Sequence, residues 1–237
     1  MNRIEFSTFK FERIIFQLKY PPAPLIFDKT GKIWKENLVI FPTLKIISAE
    51  PNKSSFVIDR DAELFCEIDN FRISYYEPKA SLTEFIGVAK PFYEICTRVL
   101  EIEEFSRLGL RLYFFKEFDS IEQASEIFAK SNLLKLPSSS EFMDIEGKVS
   151  LPDMAFIWEN DNLGCMVHIK VESRKLRLEA PLNFRFIQPT LQSQHGILID
   201  VDYFTKSSVT ASQLEIETWI KQGIQRIKAQ IDRFISG

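Results

Sequence analysis

A chain of 237 residues, 45% hydrophobic and 27% charged, has the makeup of a soluble globular protein. Thirty Lys+Arg against 33 Asp+Glu leave a formal net charge of −3, which argues against a chain-wide surface for nucleic acid. Only 8 glycines are present, with no G-x-G-x-x-G and no G-x-x-x-x-G-K-[ST], so nucleotide binding through either phosphate cradle is excluded.

Ile14, Phe16, Leu18 and Tyr20 alternate with Ile15, Gln17 and Lys19, the period of a half-buried strand over 9–20. Phe9 and Phe11 have the opposite parity, which predicts a bulge near Arg13. Pro21, Pro22 and Pro24 end the strand. After a connection over 21–36, strand patterns follow at 37–48, interrupted by Pro42, and at 54–59, 62–68 and 71–76. The period then changes. Ser81-Leu-Thr-Glu84 forms a capping box, and Leu82, Phe85, Ile86, Ala89, Phe92, Tyr93, Cys96, Val99 and Leu100 mark a helix to about 103, with a kink expected at Gly87 and Pro91. Leu108, Leu110, Leu112 and Phe114 alternate with Arg107, Gly109, Arg111 and Tyr113, a strand over 105–116. Asp119-Ser-Ile-Glu122 caps a short helix to about 132, and the stretch Pro137 to Glu141 forms a polar loop. Strands are predicted at 149–158, 164–172, 174–180 and 196–204, with a loop bounded by Pro181 and Pro189. Thr210-Ala-Ser-Gln213 caps a last helix, striped by Ile216, Ile220, Gly223, Ile224, Ile227, Ile231 and Ile235. Lys221, Arg226, Lys228 and Arg233 crowd its C-terminal half, where cations suit the helix dipole.

The segments 1–104 and 105–237 repeat one pattern: a strand, a connection or short helix, four strands and a long helix. The second copy is longer, by its connection at 117–148 and its loop at 181–195. The expected fold is α+β, two tandem β-α-β4-α-like halves with curved antiparallel sheets, each packed on a long helix. This element order resembles the repeat unit of the TATA-box-binding-protein-like fold, which implies a curved sheet around a C-terminal helix. Arg107-Leu-Gly-Leu-Arg111-Leu-Tyr113, taken with Leu198-Ile-Asp200-Val-Asp202, is similar to sporadically distributed, uncharacterised bacterial proteins of about 250 residues, where an R-x-G-L-R-Y strand is typical. Here Leu112 intervenes before Tyr113, and Phe114 and Phe115 stand where that family has a polar residue. Neither resemblance implies an activity, because folds of this kind host unrelated functions.

Three widely spaced cysteines, Cys66, Cys96 and Cys165, make neither a metal pair nor a disulfide framework and point to a reducing cytoplasm. Charged residues among the first apolar ones preclude a secretory h-region, and no apolar run nears the roughly 18 residues of a membrane span. Nucleophilic catalysis has only His168 and His195 as bases, one on the mixed side of a strand and one at a loop edge, and no G-x-S-x-G elbow is present. No zinc-ligand spacing occurs, and no cofactor is expected. Asp200 and Asp202 share one strand face and Arg107 and Arg111 another, which makes these four the candidate binding residues. Lys170, Arg174, Lys175 and Arg177 cluster around an expected turn, but Glu172 and Glu179 break the basic stripe, so nucleic acid is not the expected partner. The expectation is a binding or interaction module without catalytic machinery, recognising a protein or a small apolar ligand. A ligand cavity between sheet and helix and an enzyme with spatially assembled carboxylates are the alternatives. Edge strands leave homodimerisation open.

Overall fold

The computed structural model describes residues 4–59, 62–76, 82–131, 133, 141–142, 145–146, 150–177 and 191–236. Nine strands make one open antiparallel sheet: β1 (Lys10–Lys19), β2 (Lys45–Glu50), β3 (Lys53–Ile58), β4 (Ala62–Glu67), β5 (Asn70–Tyr76), β6 (Arg107–Phe118), β7 (Asp153–Glu159), β8 (Leu163–Arg177) and β9 (Leu191–Thr205). Their order is β7-β8-β9-β6-β1-β5-β4-β3-β2. Four α-helices are described: α1 (Ile26–Ile40), α2 (Leu82–Val99), α3 (Ile121–Ala129) and α4 (Ile216–Ser236). The fold is therefore α+β, and all nine strands share one sheet. β1 and β6 pair down its middle, with β5-β4-β3-β2 on one flank and β9-β8-β7 on the other.

Local chemistry explains the elements and the departures from expectation. The register of β1 on β6 shifts between Phe11 and Arg13, the bulge that the change of parity demands. After the prolines the chain forms α1, which buries Ile26, Ile33 and Asn37, and the Asn37 side chain donates to the Ile33 carbonyl at 2.8 Å. The strand expected over 37–48 is the last turn of α1 followed by β2. Leu38 to Ile40 is too short a stretch to tell alternation from a helix end. The cap expected at Ser81, the loop at 137–140 and the loop between Pro181 and Pro189 lie outside the described residues. Ser120, not Asp119, caps α3: its hydroxyl accepts from the Gln123 N–H, while the Gln123 side-chain Oε1 accepts from the Asp119 N–H. Thr210 provides no side-chain cap, because Val209 and Thr210 are paired with Glu104 and Phe105 in a short ribbon, and α4 begins only at Ile216. The strands expected at 164–172 and 174–180 are one, β8, so the basic cluster sits along a strand rather than at a hairpin tip. His195, expected at a loop edge, is inside β9 opposite Phe118.

One side of the sheet carries Ile14, Phe16 and Leu18 on β1, opposite Leu112, Leu110 and Leu108 on β6. All four helices add their buried residues to the continuous core on that side. Phe71 of β5 is a hub there, 5.8 Å from the rings of Tyr20 and Phe92 and 5.9 Å from Phe105. Trp219 of α4 packs on Phe16 at 5.7 Å and on Tyr203 at 5.9 Å. Aromatic rings thus occupy the space between sheet and helices. Phe115 and Leu198, on the opposite side, are buried outside this core.

Candidate functional site on the open sheet face

Strand alternation puts the polar parity of every central strand on the side that no described helix covers. Register then assembles the side chains. Asp200 of β9 lies opposite Tyr113 of β6 and His168 of β8, and Asp202 lies opposite Arg111. Arg111 grips Asp200 through two bonds, Nε to Oδ1 at 2.8 Å and Nη2 to Oδ2 at 2.5 Å, the bidentate fork that suits a planar carboxylate. Arg107 donates to Asp202 at 2.8 Å and lies 4.5 Å over the Phe204 ring. The four sequence candidates are thus brought together as two cross-strand ion pairs. The bond to Asp200 holds Arg111 even more firmly charged than a free guanidinium. Burial, followed by the nearby Asp200 charge, pushes the Tyr113 phenol up.

The face extends beyond these four. Arg13 of β1 lies 4.4 Å over Tyr76 and 5.8 Å from the Tyr113 ring, with its Nε donating to the buried Ser74 hydroxyl at 2.8 Å. Tyr76 donates to Glu63 at 3.1 Å. Arg174 covers Phe115 at 4.1 Å, bonds Glu12 at 2.6 Å and also reaches Glu172, which takes a further bond from Lys170 at 2.7 Å. Burial pushes the Glu172 carboxyl up, but the bonds from Lys170 and Arg174 outweigh it and hold the group below its ordinary value. His168 pairs with Asp153 at the β7 border.

Two glycines let this lattice lie flat. A Cβ on Gly196 would sit 2.3 Å from the Phe115 ring and 2.4 Å from the Lys116 carbonyl; one on Gly164 would sit 2.4 Å from the Phe204 ring. Each glycine is roofed by an aromatic ring from the neighbouring strand.

Chemically the face is a preorganised mosaic of cations, carboxylates and rings whose charges largely cancel in place. Among the described residues no three His, Cys, Asp or Glu side chains converge to hold a metal ion, and no helix is long and apolar enough to cross a membrane. A cleft of about 350 Å³ between α2 and the start of α4, lined in part by Lys90, Glu94, Glu217 and Lys221, is equally mixed in charge. Sequence reasoning missed Arg13, Ser74, Tyr76, Glu12 and the two roofed glycines as parts of the face. The available signal was parity, since Arg13 continues the polar side of β1 and Tyr76 that of β5, but pairing across strands far apart in sequence cannot be read from either strand alone. The chain matches no protein-family model and no curated protein significantly.

Proposed function

We propose that the protein is a non-enzymatic interaction module that meets a protein partner across the open face of its sheet. The observation that carries this is the sheet side that no described helix covers: nine strands with the four described helices on one side and a pre-paired lattice of Arg, Asp, Glu and Tyr on the other. A surface whose side chains are already fixed loses little entropy on docking. Its near-balanced charge suits a protein rather than a continuous run of phosphates. The strand order outward from β1 and from β6, last strand of each segment first, supports an internal duplication of the TATA-box-binding-protein-like repeat, with four outer strands on one flank and three on the other. The likeness to the uncharacterised bacterial family is a separate part of the proposal and rests on Arg107 to Tyr113 and Leu198 to Asp202. Three unpaired cysteines, two of them buried, support a cytoplasmic setting. A small apolar ligand is disfavoured by the rings that fill the space between sheet and helices.

The test is proximity labelling in cells with the wild type and with Arg13→Glu and Tyr76→Ala, which alter the face without exposing a buried carboxylate. The variants are expected to keep the native circular dichroism spectrum and to lose the proteins that the wild type labels reproducibly. An unchanged set of labelled proteins would remove the open face from the reading. Turnover of any substrate from a broad panel, abolished by one substitution, would remove its non-enzymatic part.

A further inference from the structure

The sheet ends in β2 and β7, and the outer side of β2 has no partner strand among the described residues. Edges of this kind are ordinarily blunted by charge or covered. β2 reads Lys-Ile-Ile-Ser-Ala-Glu, with charge only at its two ends, and its Ile46 and Ile47 are 45% and 57% exposed. Val39 and Ile40, at the end of α1 that precedes β2 in the chain, are 82% and 46% exposed. Exposed apolar side chains on an unpaired edge favour strand addition.

We propose that β2 pairs with β2 of a second copy, in an antiparallel two-fold ladder that sets Lys45 opposite Glu50 and Ile46 opposite Ala49. The bulge selects this register. In a regular strand Lys45 and Glu50, five apart, point to opposite faces and cannot oppose one another. Here the register on β3 shifts between Ile46 and Ser48. Lys45 and Glu50 lie opposite Val57 and Lys53, which share one face of β3; Ile46 and Ala49 lie opposite Phe56 and Ser54, which share the other. The bulge therefore makes the edge self-complementary: both ends gain an opposite-charge pair and both faces continue across the two-fold axis. β7 offers no equivalent, because Asp153 and Glu159 bracket it and full antiparallel self-pairing would set carboxylates against each other. Pairing β2 with β7 would leave one free edge of each kind and grow into filaments. A second copy on β2 is the closed solution, and it is independent of what the open face binds.

Sedimentation velocity on the full chain, up to about 100 μM, tests this over the range where a weak dimer forms. The wild type is expected to reach the mass of a dimer. Lys45→Glu and Glu50→Lys alone each set like charges opposite one another twice, and should weaken the dimer about tenfold or more. The double exchange K45E/E50K should restore it, and Ile46→Lys should abolish it. All three substituted positions carry exposed side chains, and circular dichroism checks the fold of each of the four variants. The proposal is overturned by a wild type that stays monomeric, by a dimer indifferent to the single reversals, by a double exchange that fails to restore it, or by mass that grows past a dimer.

Discussion

Asp200 is 4% exposed, whereas the side chain of its partner Arg111 keeps 39% of its surface. The two ends of this ion pair are therefore not equivalent. Removing Arg111 strands a buried carboxylate, whereas Asp200→Asn leaves a neutral acceptor and a cation that can reach water. Urea denaturation should show Arg111→Ala costing about 3 kcal/mol and Asp200→Asn about 1 kcal/mol. The double variant should cost less than the sum, because the stranded charge is gone. The reverse ranking would mean that Asp200 is better solvated than its burial indicates. Glu172 makes a prediction in pH. Its carboxyl is held below the ordinary value near 4.5, so its contribution is complete above that value and is lost as pH falls through the lower, folded one. Acid unfolding of Glu172→Gln should consequently lose part of the steepness that the wild type shows below about pH 4.5. An identical acid limb in the two proteins would separate Glu172 from the acid transition.

At the scale of elements, two backbone positions carry opposite expectations. Gly196 of β9 lies beneath Phe115 and against the Lys116 carbonyl, and the carbonyl cannot swing aside as a side-chain end can. Gly196→Ala should destabilise by about 2 kcal/mol or more in urea, through overpacking and strand displacement. Glu101, past the end of α2, has φ 55° in the left-handed region, while the Ile102 N–H bonds back to the Thr97 carbonyl at 2.9 Å. This is the helix ending that glycine fits best, so Glu101→Gly should raise stability by about 0.5–1 kcal/mol, measured as a higher melting temperature. The sequence made α2 and β6 legible because each holds one strong period over many residues. It hid α1, where only Ile26, Ile33 and Asn37 turn fully inward and Gly31 weakens the helical signal. It split β8 at Ser173, because cross-strand partners in β9, not local propensity, keep that segment extended. Arg107, Arg111, Asp200 and Asp202 could be found because each pair shares one strand. Their union into ion pairs could not, because it depends on which strand β9 lies beside.

Across the whole molecule, the expectation of one pattern written twice does not tell whether the two sets of strands fuse. Fusion depends on β1 and β6, whose apolar sides would each suit any sheet edge of matching period. In the structure Ile14, Phe16 and Leu18 lie opposite Leu112, Leu110 and Leu108 along this seam, and Trp219 of α4 crosses it to reach Phe16 of β1. Unfolding either flank would expose a fully buried apolar row of the other, so the chain should unfold as one cooperative unit. Its three tryptophans allow a direct measurement, since Trp34 lies on α1 of one flank and Trp158 on β7 of the other. Proteins retaining only Trp34 or only Trp158 should give urea midpoints that agree within about 0.2 M. Phe16→Ala at the seam removes a ring worth about 3–5 kcal/mol and should lower both midpoints together by more than about 1 M. Two separate transitions, with Trp34 and Trp158 responding differently to Phe16→Ala, would show that the flanks fold apart and that the seam is only a contact between them.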